Sequence, residues 1–508
     1  MRQLLAASLL GPAVALAAPG DFDRSFGQDG VATLGPGPVA DQADSAVFVD
    51  SDGQGRLLVI GSVLQPTNGV DVSVRLFARF LPEGIPDATL SGTGYIHTAP
   101  DPSTNRVGLR AYAVANGRTL LVEQHRFICQ PSRQPCGLPV DVPHFFAQRI
   151  EPGGEIDSSY GVMATVSMDV VQEDVAVSPD GSLTVAGYQY PPAIPGAFPD
   201  PRFDVRGVDP AGQLFLPWFG ARPSFDCGGD ARPAARSAKM ARQPDGRFLF
   251  VQQVSDAAGN NRLCVSRLNP DATLDTSFGS AGRLRVDDPR FAGGPATILA
   301  LLARSAGGAI LFLKPFGLGG SPLYMAWLTA DGALDASRGV QGIVGPFAGP
   351  IDDFQTIALQ PDDGILLAGF PLPRLAQAKV IPPIPDFGQP RIVRLDSFGM
   401  LDPGFGPTGE GYAPLVSSGR GIWPRHLHVG SDGAIFVAGS IGVGNLALAA
   451  AQSRFAVAKL EGGARHESRG GIWGSGCGST RNAPVDPTLP ALTLLAAALL
   501  LARSRKSR

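Results

Sequence analysis

Apolar residues in this chain fall in short runs that alternate with polar ones and are broken by turn residues, a period-2 pattern that marks half-buried strands rather than helices. Val175-Ala176-Val177 runs through Ser178-Pro179-Asp180-Gly181 into Leu183-Thr184-Val185-Ala186-Gly187, two apolar runs around an Asp-Gly turn, which is the sequence of a hairpin. Turns of this kind recur at Asp52-Gly53, Asn116-Gly117, Asp180-Gly181, Asp245-Gly246, Gly307-Gly308, Asp363-Gly364 and Asp432-Gly433. The spacing is about 60 residues, and a fixed period of that size signals a repeat architecture.

Two further parts complete each repeat. A turn cluster, best seen from Leu268 to Gly282 and followed by the short strand Arg283 to Val286, opens it; copies centre on Asp23, Asp157, Asp335 and Asp402, with weaker traces at Asp87 and at Phe219-Gly220. An alternating strand leads into the next cluster: Phe77 to Leu81, Phe146 to Ile150, Val205 to Val208, Val265 to Leu268, Met325 to Leu328, Ile392 to Leu395 and Phe455 to Leu460. Four short strands per repeat and seven repeats predict an all-β fold, a seven-bladed β-propeller over residues 18–463; an open β-solenoid is the alternative. Closure of the ring should bring the Val31 to Leu34 strand next to Phe455 to Leu460.

With strands running up and down in each blade, the hairpin turns and turn clusters share one face of the disc and the remaining loops share the other. Those loops are irregular in length, notably Gln124 to His144, Gln189 to Arg202, Ala221 to Arg236 and Pro371 to Pro390. Loops on a rigid scaffold carry function, so that face is the expected binding surface for an extracellular ligand or surface partner of unknown identity.

The cluster Asn269-Pro270-Asp271 through Leu274-Asp275-Thr276-Ser277-Phe278-Gly279, with the Gln243-Pro244-Asp245-Gly246 hairpin, resembles the delta-60 repeat family of bacterial secreted proteins over nearly all of residues 21–462. The pattern degrades in the second and fourth repeats, where Leu216 stands at the position of the Asp and Phe219-Gly220 follows Trp218. The resemblance implies a propeller-like array and no particular activity.

The ends speak to location. Residues 1–17 have one charge at Arg2, an apolar stretch and an Ala15-Leu16-Ala17 finish, the pattern of a secretory signal peptide; Pro19-Gly20 separates them from the repeats, which argues against a buried N-terminal element. A Gly-rich linker over 464–485 leads to the C-terminal segment 486–508, where Asp486-Pro487-Thr488-Leu489-Pro490 precedes an apolar run to Ala502 and a basic finish. A helix from Leu489 to Ala502 spans about 21 Å, short of a hydrocarbon core of roughly 30 Å. Cys477, Asp486, Pro487 and Thr488 with the basic end resemble the JDVT-type CTERM tails, which implies a dedicated C-terminal sorting protease, transient membrane contact and attachment at the cell surface; a plain tail anchor is the other reading.

Composition adds exclusions. A net charge of -3 with 17% charged residues leaves no basic footprint for nucleic acid. In an oxidising compartment Cys129 and Cys136, and Cys227 and Cys264, each pair lying within one repeat, are disulfide candidates, with free buried thiols as the alternative. Neither paired Cys/His spacing for zinc nor an Asp-x-Asp-x-Asp loop for calcium occurs, so no metal and no cofactor is expected; Asp275 and its counterparts should cap their own turns, with Phe278 and its counterparts packed between blades. Of the six His, His426 and His428 alternate on one strand and face one side, as a structural pair or, less simply, a metal pair. With no Gly-x-Ser-x-Gly elbow or His-Glu-x-x-His motif, no catalytic residue is assigned. The expectation is an exported propeller acting as a binding scaffold; a propeller hydrolase or lyase on an extracellular glycan or other polymer is the alternative, favoured by a polar, acid-lined central pocket on the irregular face with convergent carboxylates or His and disfavoured by a closed or apolar channel.

Overall fold

The computed structural model describes residues 18–34, 45–67, 70–97, 104–127, 144–162, 166–168, 171–189, 202–214, 227, 232–255, 261–292, 296–315, 322–371, 389–442 and 454–463. All lie in one unit, Met1–Ser468.

Seven antiparallel sheets form the blades of a propeller. Blade one is Ser45–Ser51, Leu57–Thr67, Val70–Phe80 and Tyr95–His97; blade two is Thr104–Val114, Arg118–Phe127, His144–Ile150 and Val166–Met168. Three strands are described in blade three, Val171–Val177, Leu183–Gln189 and Arg202–Val208. Blade four comprises Arg232–Arg242, Phe248–Ser255, Asn261–Leu268 and Arg283–Val286; blade five Ala296–Ala303, Ala309–Pro315, Tyr324–Leu328 and Ile343–Val344; blade six Asp353–Leu359, Ile365–Phe370, Arg391–Leu395 and Tyr412–Pro414. Blade seven takes Val416–Ser417, Arg420–Val429, Ile435–Gly442 and Arg454–Leu460, and then a fifth strand, Val31–Thr33, from the start of the chain.

That fifth strand closes the ring. Val31 pairs with Ala458, Ala32 with Val457 and Thr33 with Ala456, so the first strand of the chain completes the last blade. It also shifts the repeat: the short strand after each turn cluster, such as Arg283–Val286, is the outermost strand of the preceding blade, not the first strand of the next. Because the offset leaves one strand short at the end of the array, the N-terminal strand fills it.

Packing follows the same circle. One hydrophobic core lies at each junction between neighbouring blades: Leu58, Phe77 and Leu109 join one to two, Val122 and Val185 two to three, Val205 and Phe250 three to four, Val251 and Leu311 four to five, Ile310 and Leu367 five to six, Leu366 and Val437 six to seven, and Val59 and Val457 seven to one. Seven shared cores in a cycle exclude the open solenoid.

The turn clusters belt one face. Asp275 Oδ1 accepts from the Ser277 N–H and Oγ, which fixes the turn, while its Oδ2 accepts from Arg267 Nε at 2.8 Å. Arg267 then lies over the Phe278 ring and donates to the Ala330 carbonyl in the next blade's turn, so one cation caps, stacks and bridges. Arg149–Asp157 with Tyr160 and Arg394–Asp402 with Phe405 repeat the device, and Arg79–Asp87 keeps it without the aromatic ring, making Asp87 a full member. Blade five exchanges the parts. Trp327 occupies the Arg position, and Arg338, at the Phe position, lies over Phe398 and donates to the Ser397 carbonyl. Blade three has Gly207 at the Arg position, with Leu214 bridging Val208 as Leu274 bridges Leu268; Leu216 and Phe219-Gly220 lie outside the described residues.

Candidate functional site: the central channel and its mouth

The first strands of neighbouring blades, a place that Arg420–Val429 takes in blade seven, approach one another around the ring and line a central channel. As edge strands they have backbone N–H groups without a ladder partner, and each such group needs an acceptor. A β-bulge supplies the means. Register shifts lie between Ala46 and Phe48, Gln172 and Asp174, Phe354 and Thr356, and Pro424 and His426. Opposite three of these bulges stand Gly61, Gly369 and Gly439, where a Cβ would meet a first-strand carbonyl oxygen at 2.0, 2.0 and 1.8 Å. Glycine is therefore required on the second strand for the bulge to form on the first.

The residue after the bulge reaches the next blade. Met240 N–H donates to Asp174 Oδ2 at 3.0 Å, Leu427 N–H to Thr356 Oγ1 at 3.1 Å and Val49 N–H to His426 Nδ1 at 3.4 Å. Ala113 N–H similarly donates to Asp50 Oδ2 at 3.1 Å. Arg110 donates to Asp174 Oδ1 at 2.9 Å and to the Tyr112 hydroxyl at 3.3 Å. Thus, among the described residues, these polar side chains join blade six to seven, seven to one, one to two, two to three and three to four. Between blades five and six the position after the bulge is Ala300, and Leu299, Leu302, Phe354 and Ile357 pack on the shared core instead.

His426 and His428 both face blade one, as their alternation predicts. His426 stacks on Phe48 with ring centres 4.0 Å apart, and His428 Nε2 lies 2.7 Å from Ser51 Oγ. Burial holds His426 down to about 3, with Arg110 and His428 adding to the effect, so its ring is neutral and free to accept from Val49. Burial also lowers His428 and raises Asp50, each against the attraction of the other. Ser51, His428 and Asp50 make a row of hydroxyl, imidazole and carboxylate. His428 Nδ1 is 3.5 Å from Asp50 Oδ1, at the long limit of a hydrogen bond; that oxygen accepts from the Ser51 N–H at 2.9 Å and the other, Oδ2, from Ala113. Among the described residues no group of three His, Cys, Asp or Glu is placed to hold a metal ion.

At the turn-face mouth the channel widens into a cavity of about 450 Å³. Val177, Leu359 and Val429 give it aliphatic walls, and Arg242, Gln243 and Gln360 bring polar groups to it. Arg242 is exposed and, among the described residues, makes no ion pair. Gln243 and Gln360 are 3% and 4% exposed, and the carbonyl oxygen of each has no donor. Arg304 on the same rim is neutralised by Asp363 at 3.2 Å.

The cysteines divide. Cys227 and Cys264 form a disulfide that ties the segment before blade four to that blade's third strand. Cys129, Cys136, Cys477, Asp486, Pro487 and Thr488 lie outside the described residues, as do the leader, the C-terminal apolar run and most of the irregular loops. No described helix is long and apolar enough to cross a membrane. Sequence reading missed the Arg latch, although its signal was present: Arg79, Arg149, Arg267 and Arg394 each stand eight residues before the Asp they bind. It also missed Arg242, Gln243 and Gln360, which no spacing distinguishes from surface residues.

A family model described as a domain of unknown function (DUF5122) beta-propeller matches residues 243–278, from the hairpin turn of blade four to Phe278. The match and the seven-bladed ring agree on a propeller repeat family. No curated protein matches the chain in sequence. Among solved structures, a protein of unknown function from Dyadobacter fermentans aligns over 85% of this chain and 97% of its own at 12% identity, with a TM-score of 0.41. The GH93 alpha-L-arabinofuranosidase of Fusarium graminearum aligns over 71% and 95% at 10% identity with a TM-score of 0.39, and a Trypanosoma rangeli sialidase over 83% and 55% at 8% identity with 0.31. Likeness at these scores carries no argument about chemistry.

Proposed function

We infer that this chain is an exported, cell-surface-associated propeller of the delta-60 type that acts as a binding scaffold. The observation that carries the reading is the use of channel chemistry: Asp50, Asp174, Thr356 and His426 each accept an edge-strand N–H of the next blade, which leaves them as fasteners rather than as acids and bases. The Cys227–Cys264 disulfide supports an oxidising compartment. In this reading residues 1–17 are removed on export, the tail from Asp486 is cut by a sorting protease after a transient membrane stop, and Cys477 attaches the product. The irregular face meets the extracellular ligand.

The test uses the purified full chain with a panel of extracellular polysaccharides, following binding together with new reducing ends and unsaturated sugar products. Binding without bond cleavage is expected. Product formation would replace the scaffold by a hydrolase or lyase. For the tail, mass spectrometry of surface-fraction protein should lack Arg503 to Arg508; an intact end rejects processing.

A further inference from the structure

Among the described residues, the seam between blades seven and one is the one that channel histidines join, and its two histidines are not equivalent. His428 has carboxylates to receive a charge: Asp50 stands 3.5 Å from its Nδ1, and Asp432 adds to the attraction. His426 has none. Its ring stacks on Phe48 and its Nδ1 accepts the Val49 N–H, both from blade one. The charged and titrating groups that act on it are the Arg110 guanidinium of blade two and the His428 ring of its own strand, and among the described residues no carboxylate pairs with it. Tyr112, bonded to Arg110, stands edge-on to Phe48.

A neutral imidazole fits this seat and a charged one does not. Acceptance at Nδ1 fixes the tautomer with its hydrogen on Nε2; a proton on Nδ1 sets N–H against N–H at Val49 and leaves a second cation near Arg110 with no anion to balance it. The conflict ends when Phe48 and Val49 move off the ring and let water reach it. On its other side the same strand of blade seven is held differently, since Leu427 N–H donates to the Thr356 hydroxyl of blade six, which does not titrate. We propose that the channel edge of the seven–one seam is an acid-opened latch: on mild acidification Phe48 and Val49 detach from blade seven while the neighbouring seam to blade six stays closed. The apolar core of the seam, with Val59 and Val457, and the pairing of Val31–Thr33 on blade seven keep the ring whole, so the opening is local.

Amide hydrogen exchange of the full chain at pH 7 and pH 5, corrected for the intrinsic rate at each pH, tests it. A freed ring titrates near 6.5 and the seated one at about 3, so acid favours the open form, and opening at Val49 rises about tenfold or more over that interval. Leu427, next to His426 on the same strand, and Leu58, in the second strand of blade one, change by less than about threefold. This comparison needs no variant. His426→Asn keeps an acceptor for Val49 without a titrating ring, and its opening at Val49 differs by less than about threefold between the two pH values. His428→Asn leaves the rise in place. Opening at Val49 that does not change with pH, an equal rise at Leu427 and Leu58, a rise that survives His426→Asn or one that His428→Asn removes overturns the proposal.

Discussion

Around the channel, blades seven, one, two and three meet through Asp50, Arg110, Asp174, His426 and His428, whereas blades five and six meet through Leu299, Leu302, Phe354 and Ile357. Both arcs solve one problem, the exposed inner edge of a sheet. On the polar arc a side chain accepts the neighbouring strand's N–H, which fixes register and uses up the acceptor. On the aliphatic arc burial of apolar surface does the joining and no polar group is committed. The contrast teaches that a concentration of His and Asp in a propeller channel is not by itself a catalytic centre. What matters is whether each group has an acceptor or proton to spare.

The two arcs should fail differently. Leu367→Ala, in the core between blades five and six, should cost about 2–5 kcal/mol by urea denaturation and show no dependence on pH between 5 and 8. On the polar arc Asp174→Ala should cost about 2–3 kcal/mol, because it removes the carboxylate that Arg110 and the Met240 N–H share. Asp174→Leu, which restores bulk, should not recover it; recovery would mean that packing, not acceptance, holds that seam.

Acid sharpens the comparison. His426 ordinarily titrates near 6.5 but is held at about 3 in the fold, so the unfolded chain takes up the proton first. Stability from this group is complete above 6.5 and is lost as pH falls toward 3, with about 1–2 kcal/mol gone by pH 5. His426→Asn keeps an acceptor for Val49 without a titrating ring, and its stability should fall less between pH 7 and 5 than that of the wild type. An identical slope would place the acid sensitivity elsewhere. Thr356→Val, which removes one neutral acceptor from the Leu427 N–H, should cost about 1 kcal/mol.

Much of this architecture could be read from the residues. The seven turns fall between first and second strands, and the third strands predicted from alternation end where they should, as at Val208, Leu268, Leu328 and Leu395. Such features are local: an Asp accepts the N–H two residues on, as Asp180 does from Ser182, and alternation sets which side is buried. The one-strand offset was not legible, because whether Arg283–Val286 joins the blade before or after it depends on pairing between distant parts of the chain. The bulges were hidden for a related reason. Gly61, Gly369 and Gly439 mark them, but a strand glycine signals close approach without naming the backbone that approaches. Nor does alternation tell that His426 ends on Val49, 377 residues away.

Native-state hydrogen exchange at the amides of Val49, Ala113, Met240 and Leu427 tests the central claim most directly, since these four lie on channel-edge strands and owe their bonds to side chains of the neighbouring blade. If the channel's polar groups are fasteners, all four exchange as slowly as amides in the second strands, and Asp174→Ala exposes Met240 while leaving Val49 and Leu427 protected. Rapid exchange at the four in the wild-type protein would contradict the account and return Asp50, Asp174 and His426 to the pool of groups free for chemistry.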